Sequence, residues 1–442
     1  MPSFAQTLAV LCSAMAVVSA GPAADRLQRR QATDVSVQQV SNLAKHQLNP
    51  SVELFQAYKK HKMPVPPELA AYVNGVGQRG AHVRARGLQA HSDATPHNGG
   101  QVWLTTIHVG TPPQKLRVVL DTQFSTSWLY SDLMSHYQQE NHGVYRVSKS
   151  KTAKWTNYTT DVNYSDGAFS GTLSGPIYLD AFSFGKGRDA VKYNKQDFMA
   201  VSNTSRPDVN AFSGIDGVLG MGFSGFSPED KSEMAEVSRS FFDNVKTLLS
   251  TPTMGIDMRH SRRGWVDLGV VLKERYVGEL SYLPADKSNS FWNMTAAGYA
   301  IGNPADFQAQ PIPGLPDTAI TFLLVPDSIC KPYYAKVKGS HYNSPLGGYV
   351  FPCSSELPDL FLKMGETNIR LPGSYVNYTT IQDDATGKPT GECFGGLQIA
   401  WNDILGDGTK INIFGSVIHQ AAYVVYEDAP AGARIGWANK KL

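Results

Sequence analysis

Leu120-Asp121-Thr122-Gln123-Phe124-Ser125 and Pro316-Asp317-Thr318-Ala319-Ile320-Thr321 are two versions of one motif, an Asp-Thr pair preceded by apolar residues, placed in two halves of the chain. Each is followed at nearly the same distance by an apolar-apolar-Gly run. Gly220 of Val218-Leu219-Gly220 lies 99 residues after Asp121, and Gly415 of Ile413-Phe414-Gly415 lies 98 residues after Asp317. A single Asp-Thr pair is an ordinary cap or turn. The matched offsets imply two equivalent lobes, each contributing one carboxylate. Two carboxylates that face each other cannot both ionise cheaply, so they share a proton. One then acts as general base on a water while the other donates to a carbonyl, which cleaves amides without a metal or a covalent intermediate.

Outward from Asp121 the pattern is strand and turn: Val102 to Val109, Gly110-Thr111-Pro112-Pro113, then Leu116 to Leu120 running into the aspartate, which places the carboxylate at a strand end. The whole chain has 442 residues and only 18% charged residues, with apolar runs broken at short intervals by Gly or Pro, as suits two β-rich domains. The best helical candidates are Pro228 to Leu249 and Asp327 to Val337. Nucleotide, flavin and zinc motifs are missing, so neither a cofactor nor a metal is expected.

Residues 1–20 are uncharged and apolar and end in Val18-Ser19-Ala20, the pattern of a secretory signal; no later stretch is long and apolar enough to span a bilayer. A secreted, extracellular protein is expected, with no membrane partner. Residues 1–92 carry ten Lys/Arg against four acids, a balance of +6, whereas residues 93–442 carry −4. A basic leader therefore precedes a mildly acidic body, which disfavours nucleic acid as a partner. Residues 21–92 read as a propeptide, with a helical patch around Val52 to Tyr58, and with Arg29-Arg30 and Arg84/Arg86 as processing points. Lys59-Lys60-His61-Lys62 is suited to neutralise the paired aspartates. The expected lobes are 93–300 and 301–442.

Beyond the signal, three cysteines remain, so one bridge and one buried thiol is the economical arrangement. Cys353 and Cys393 flank a polar, loop-like segment; Cys330 lies in an apolar run and reads as a packed thiol.

Together with Val109-Gly110-Thr111-Pro112-Pro113-Gln114, Asp216-Gly217-Val218-Leu219-Gly220-Met221-Gly222-Phe223, Gly347-Gly348-Tyr349-Val350-Phe351-Pro352-Cys353 and Cys393-Phe394-Gly395-Gly396, these motifs resemble the pepsin-like aspartic proteases, most closely secreted fungal members, from about Val102 to Leu442. The resemblance implies a mainly β, bilobal fold with two pseudo-symmetric lobes around a cleft, a Cys353–Cys393 disulfide, and Asp121 and Asp317 as the catalytic pair. Thr122 and Thr318 match the threonines that lock the aspartates in register, and Trp128 keeps the family's spacing after the first aspartate. Val162-Asn163-Tyr164-Ser165-Asp166-Gly167 looks like the flap hairpin, with Tyr164 over the cleft and Asp166 placed to meet a basic substrate side chain.

The departures lie beside the aspartates. The family's Asp-Thr-Gly becomes Asp121-Thr122-Gln123 and Asp317-Thr318-Ala319, and the hydroxyl residues that follow are replaced by Phe124 and Ile320, with Ser125 and Thr321 one position late. Lost hydrogen bonds and apolar neighbours should raise both carboxyl pKa values; Ser416, standing where the family usually has an acid, acts the other way. Side chains added beside both carboxylates are expected to misplace them.

The expected function is a secreted aspartic endopeptidase, a monomer acting on a peptide or protein in the cleft and restrained by its own propeptide. Two alternatives stay open: a non-proteolytic homologue that binds a peptide or protein, and an enzyme turned to other acid/base chemistry, such as processing a secondary metabolite. Asn157, Asn163, Asn203, Asn293 and Asn377 begin glycosylation sequons, and a glycan on Asn163 would crowd the cleft.

Overall fold

The computed structural model describes residues 35–41, 49–80, 103–139, 142–164, 171–185, 190–204, 215–224, 239–287, 291–384, 386–401 and 412–442. The signal segment, Arg84, Arg86 and Asp166 lie outside the described residues.

The two halves repeat one strand arrangement. In the first, Gln114–Asp121 runs parallel to Gly217–Gly220, with Asp121 opposite Gly220. Trp128–Tyr130 flanks Gly217–Gly220 antiparallel and lies parallel to Val191–Val201. In the second, Ile312–Pro316 runs parallel to Asn412–Phe414, and Leu323–Val325 flanks Asn412–Phe414 antiparallel while lying parallel to Leu397–Ile399. Each aspartate thus emerges at the end of a strand held by the apolar-apolar-Gly segment. The glycines are required by contact: a Cβ on Gly220 would lie 2.1 Å from the Ser125 carbonyl oxygen, and one on Gly415 would lie 2.3 Å from that of Phe322.

Val35–Ser41 has no clear strand pattern in the sequence, yet it pairs antiparallel with both Arg262–Leu268 and Trp103–Val109 inside the largest sheet. The helical patch around Val52 to Tyr58 is the helix Pro50–Lys60, started by Pro50 and by the Asn49 side chain, which accepts from the Ser51 amide at 2.9 Å. Its apolar face, Val52, Leu54, Phe55, Ala57 and Tyr58, is buried in a cluster with Leu315, Ile320, Phe322, Tyr378 and Phe394 of the second half. Each such large side chain contributes about 1.5–3 kcal/mol on burial. The helix ends at His61, and Lys62, with φ of +53°, turns the chain toward a second helix, Pro67–Gly80.

The helix expected over Pro228 to Leu249 is much shorter where it is described: Phe241–Val245, capped by the Ser240 hydroxyl and continued by one 3-10 turn. All five of its residues are buried, and Lys246, which suggests a solvated face, is tied to Asp243 and Asp428. The helix expected from Asp327 forms as Asp327–Tyr334. Cys353 and Cys393 are bridged between neighbouring strands, and Cys330 is a buried free thiol. Among the described residues no helix is long and apolar enough to cross a membrane.

Candidate active site

Asp121 and Asp317 meet at the junction of the two halves, both buried, Asp317 with no exposed surface. Their threonines cross over. Thr122 Oγ1 donates to the Pro316 carbonyl at 2.9 Å and Thr318 Oγ1 to the Leu120 carbonyl at 2.6 Å. The Thr122 and Thr318 amides each donate to the other's hydroxyl, at 3.3 and 3.2 Å.

The carboxylates are oriented by amides of the residues that replace the glycines. The Gln123 and Phe124 amides donate to Asp121 Oδ1 at 3.0 and 3.2 Å, and the Ala319 amide donates to Asp317 Oδ1 at 2.9 Å. Gln123 and Ala319 do not have positive φ, so neither position demands glycine's conformational freedom. The expectation that Gln123 crowds the carboxylates is corrected. Its side chain turns under the site, where Nε2 donates to the Pro316 carbonyl at 2.6 Å and Oε1 accepts from the Trp292 amide at 3.2 Å. Sequence could not show that a side chain beside a carboxylate is aimed at the lobe junction.

The Pro316 carbonyl also accepts from the Tyr426 hydroxyl at 2.9 Å. Behind Tyr426 stands His419, whose Nε2 lies 3.1 Å from the hydroxyl and whose Nδ1 donates to the Gly415 carbonyl at 2.8 Å. Burial pushes the His419 pKa down to about 4. Neither Tyr426 nor His419 carries a motif that marks it in the sequence. Ser416 opens the helix Ser416–Ala421; its hydroxyl is buried, with no partner among the described residues.

Above the dyad lies the leader. Lys60 Nζ is 3.0 Å from Asp121 Oδ2 and 2.8 Å from Asp317 Oδ2, while His61 Nε2 is 2.7 Å from Asp317 Oδ2. Of the basic run 59–62, Lys60 is thus the lysine at the dyad, joined by a histidine. The Lys60 ammonium also sits 5.1 Å from the Phe124 ring centre, and the His61 ring packs beside Phe124. The lost hydroxyl at 124 is therefore replaced by an aromatic surface for the leader. Ile320, the other replacement, is buried in the leader's apolar cluster.

The two pKa values split where both were expected to rise. Burial raises Asp121, against the Lys60 charge. Burial also acts to raise Asp317, but Lys60 and His61 outweigh it and hold that carboxyl below its usual range. In the leader-bound form the charge is kept on Asp317.

Trp128 is buried in a cluster with Tyr130, Met134, Leu173, Met199 and Val201. Tyr164 ends a strand, Lys154–Tyr164, that pairs antiparallel with Gly171–Phe184, Tyr164 opposite Gly171, as the expected hairpin requires. Asn157 lies exposed at a bulge in that strand with φ of +68°, Asn203 is exposed, and Asn293 and Asn377 are half-buried. Asn163 lies on the same strand, opposite Thr172. Among the described residues no cluster of His, Cys, Asp and Glu is suited to hold a metal.

The repeated strand arrangement, with one aspartate at the end of each copy and the disulfide beyond, defines the bilobal pepsin-like fold. A sequence model of the family described as eukaryotic aspartyl protease matches residues 102–440. Podosporapepsin of Podospora anserina is 32% identical over 92% of this chain and 91% of its own length. Endothiapepsin of Cryphonectria parasitica is 31% identical over 92% and 90%, and aspergillopepsin-1 of Aspergillus oryzae is 30% identical over 98% and 98%. The chain belongs to the eukaryotic aspartyl protease family.

Proposed function

We propose that the chain is a secreted aspartic endopeptidase made as a leader-inhibited precursor. The observation that carries this reading is the Lys60 ammonium bonded to both carboxylates. Its nitrogen occupies the position from which a water would hydrogen-bond to Asp121 and Asp317 together. With the leader gone, the ionised carboxylate takes the proton of that water as it attacks the peptide carbonyl carbon. The protonated partner donates to the carbonyl oxygen, and collapse of the tetrahedral diol passes a proton to the departing nitrogen.

In this reading Thr122 and Thr318 support the dyad, and Tyr164, Asp166 and Trp128 form the flap and its support over a bound peptide. Residues 1–20 are the signal and 21–92 the removable leader, and the lobes are 93–300 and 301–442. The sequon asparagines carry glycans, Asn157 and Asn203 being the exposed ones outside the flap. The protein acts as a monomer without a cofactor.

The test is incubation of the full-length chain at acid pH with a peptide library. Expected are a new amino terminus after Arg86 and cleavage blocked by a statine-type inhibitor. Failure to cleave any peptide at any pH, with inhibitor and leader making no difference, would overturn the reading.

A further inference from the structure

We infer that Gln123 and Tyr426 are positioning residues for the dyad, acting jointly on the Pro316 carbonyl and so on the peptide that carries Asp317. Three side chains converge on that oxygen: Thr122 Oγ1 at 2.9 Å, Gln123 Nε2 at 2.6 Å and Tyr426 OH at 2.9 Å. The corresponding carbonyl beneath Asp121, that of Leu120, receives one side-chain donor among the described residues, Thr318 Oγ1. The additional bonds fall on one lobe, directly before Asp317.

The orientation of Gln123 is fixed by its partners. The Trp292 amide can only donate and so faces Oε1; the Pro316 carbonyl can only accept and so faces Nε2. Gln123 is completely buried and ties the loop beside Asp121 both to the strand before Asp317 and to Trp292. The Trp292 ring packs edge-on against Tyr426, which encloses the same oxygen from the other side. A glycine at 123 would remove both side-chain bonds and leave a void beneath the dyad. The side chain that the family motif lacks therefore stiffens this dyad.

The two residues differ in strength for a countable reason. The His419 Nδ1 proton is spent on the Gly415 carbonyl, so a neutral ring presents Nε2 as an acceptor. The single Tyr426 proton is then divided between His419 and Pro316, whereas Gln123 Nε2 donates to Pro316 at 2.6 Å with a proton of its own. Gln123 carries the larger share.

The kinetic part of the test rests on the peptidase reading; the exchange part does not. In the acid-activated full-length chain, Gln123→Gly and Gln123→Met should lower kcat about tenfold to a hundredfold with KM within about threefold, and Tyr426→Phe should lower it less. Met fills the space without the bonds, so wild-type kcat in Gln123→Met would reduce the role to packing and overturn the proposal. So would a Gln123→Gly variant as fast as, or faster than, wild type. Amide exchange by mass spectrometry in the unactivated chain supplies the second readout: peptides spanning 317–323 should exchange about tenfold faster in both Gln123 variants, with distant strands unchanged. If wild type cleaves nothing yet the local exchange rises, the peptidase reading falls and the positioning role stands. Unchanged exchange at 317–323 overturns the positioning role.

Discussion

The loops around Asp121 and Asp317 have the same strand frame and opposite surroundings. Below them, the Pro316 carbonyl is held by three side chains and the Leu120 carbonyl by one among the described residues. Above them, Asp317 takes Lys60 and His61 together, whereas Asp121 shares only Lys60. The apolar face of the leader helix likewise packs with residues of the second half. Backbone pairing fixes the pseudo-symmetry, and side chains are free to break it. Here they break it in one direction, making Asp317 the anchored carboxylate of the pair.

The bluntest way to test the comparison is to remove either acid. Asp121→Asn and Asp317→Asn should each cut peptide hydrolysis by roughly 10²–10⁴-fold, because each takes away one half of the acid/base pair. Steady-state rates on a cleaved peptide check this, and residual activity in one variant alone would show that the lobes are not equivalent in chemistry.

Lys60→Met comes next. It leaves two buried carboxylates without their shared cation, and breaking such a pair costs about 3–5 kcal/mol. The uncleaved chain should then admit a statine-type inhibitor at neutral pH, measurable by calorimetry, while wild type does not. Exclusion of the inhibitor by the variant would place the block elsewhere in the leader.

Glu53 sharpens the asymmetry through pH. On the leader helix, it accepts from Tyr378 OH at 2.5 Å and Thr321 Oγ1 at 3.4 Å, with its other carboxyl oxygen enclosed and unpartnered among the described residues. Burial raises its pKa from 4.5 to about 8, against those two hydrogen bonds. A raised acid binds its proton more tightly in the docked form, so this contribution weakens docking as pH rises from 4.5 toward about 8. Asp317 is lowered and works in reverse: its contribution is present above 3.8 and is lost as pH falls below that value. The leader is held best between the two limits. Glu53→Gln should abolish the weakening on the neutral side and leave the acid side unchanged, which inhibitor binding to the uncleaved chain across pH would reveal.

The smallest effect separates the two threonines. Thr318→Val strips the Leu120 carbonyl of its side-chain donor, an acceptor loss worth about 1–3 kcal/mol, whereas Thr122→Val leaves Gln123 and Tyr426 on the Pro316 carbonyl. Thermal unfolding should therefore fall further for Thr318→Val. Equal losses would mean that the extra donors on Pro316 do not compensate.

Much of this frame is legible in the order of the amino acids. Strands running into each aspartate, matched distances to Gly220 and Gly415 and the pairing of Cys353 with Cys393 all follow from local pattern or resemblance, and all appear in the fold. The parts that are not legible depend on direction or on distant partners. A residue in place of a glycine can point into a cleft or beneath it, and only the acceptors around Gln123 decide which. His61 reads as one member of a basic run until the helix end aims it at Asp317. Val35–Ser41 alternates weakly and is a strand only because two edges accept it. A long helix over Pro228 to Leu249 is suggested because Asp243 and Lys246 look solvated in sequence, whereas they are paired in space.

That same strand carries a mechanical consequence. In the order of the largest sheet, Val35–Ser41 is the hydrogen-bonded link between Trp103–Val109 and Arg262–Leu268. The leader is therefore a keystone as well as a plug: taking it away parts one continuous sheet into two and bares a row of backbone donors and acceptors on each side of the seam. Maturation of such a chain has to close a seam as well as open a cleft, and a leader that is cut but stays in its groove would leave the architecture whole.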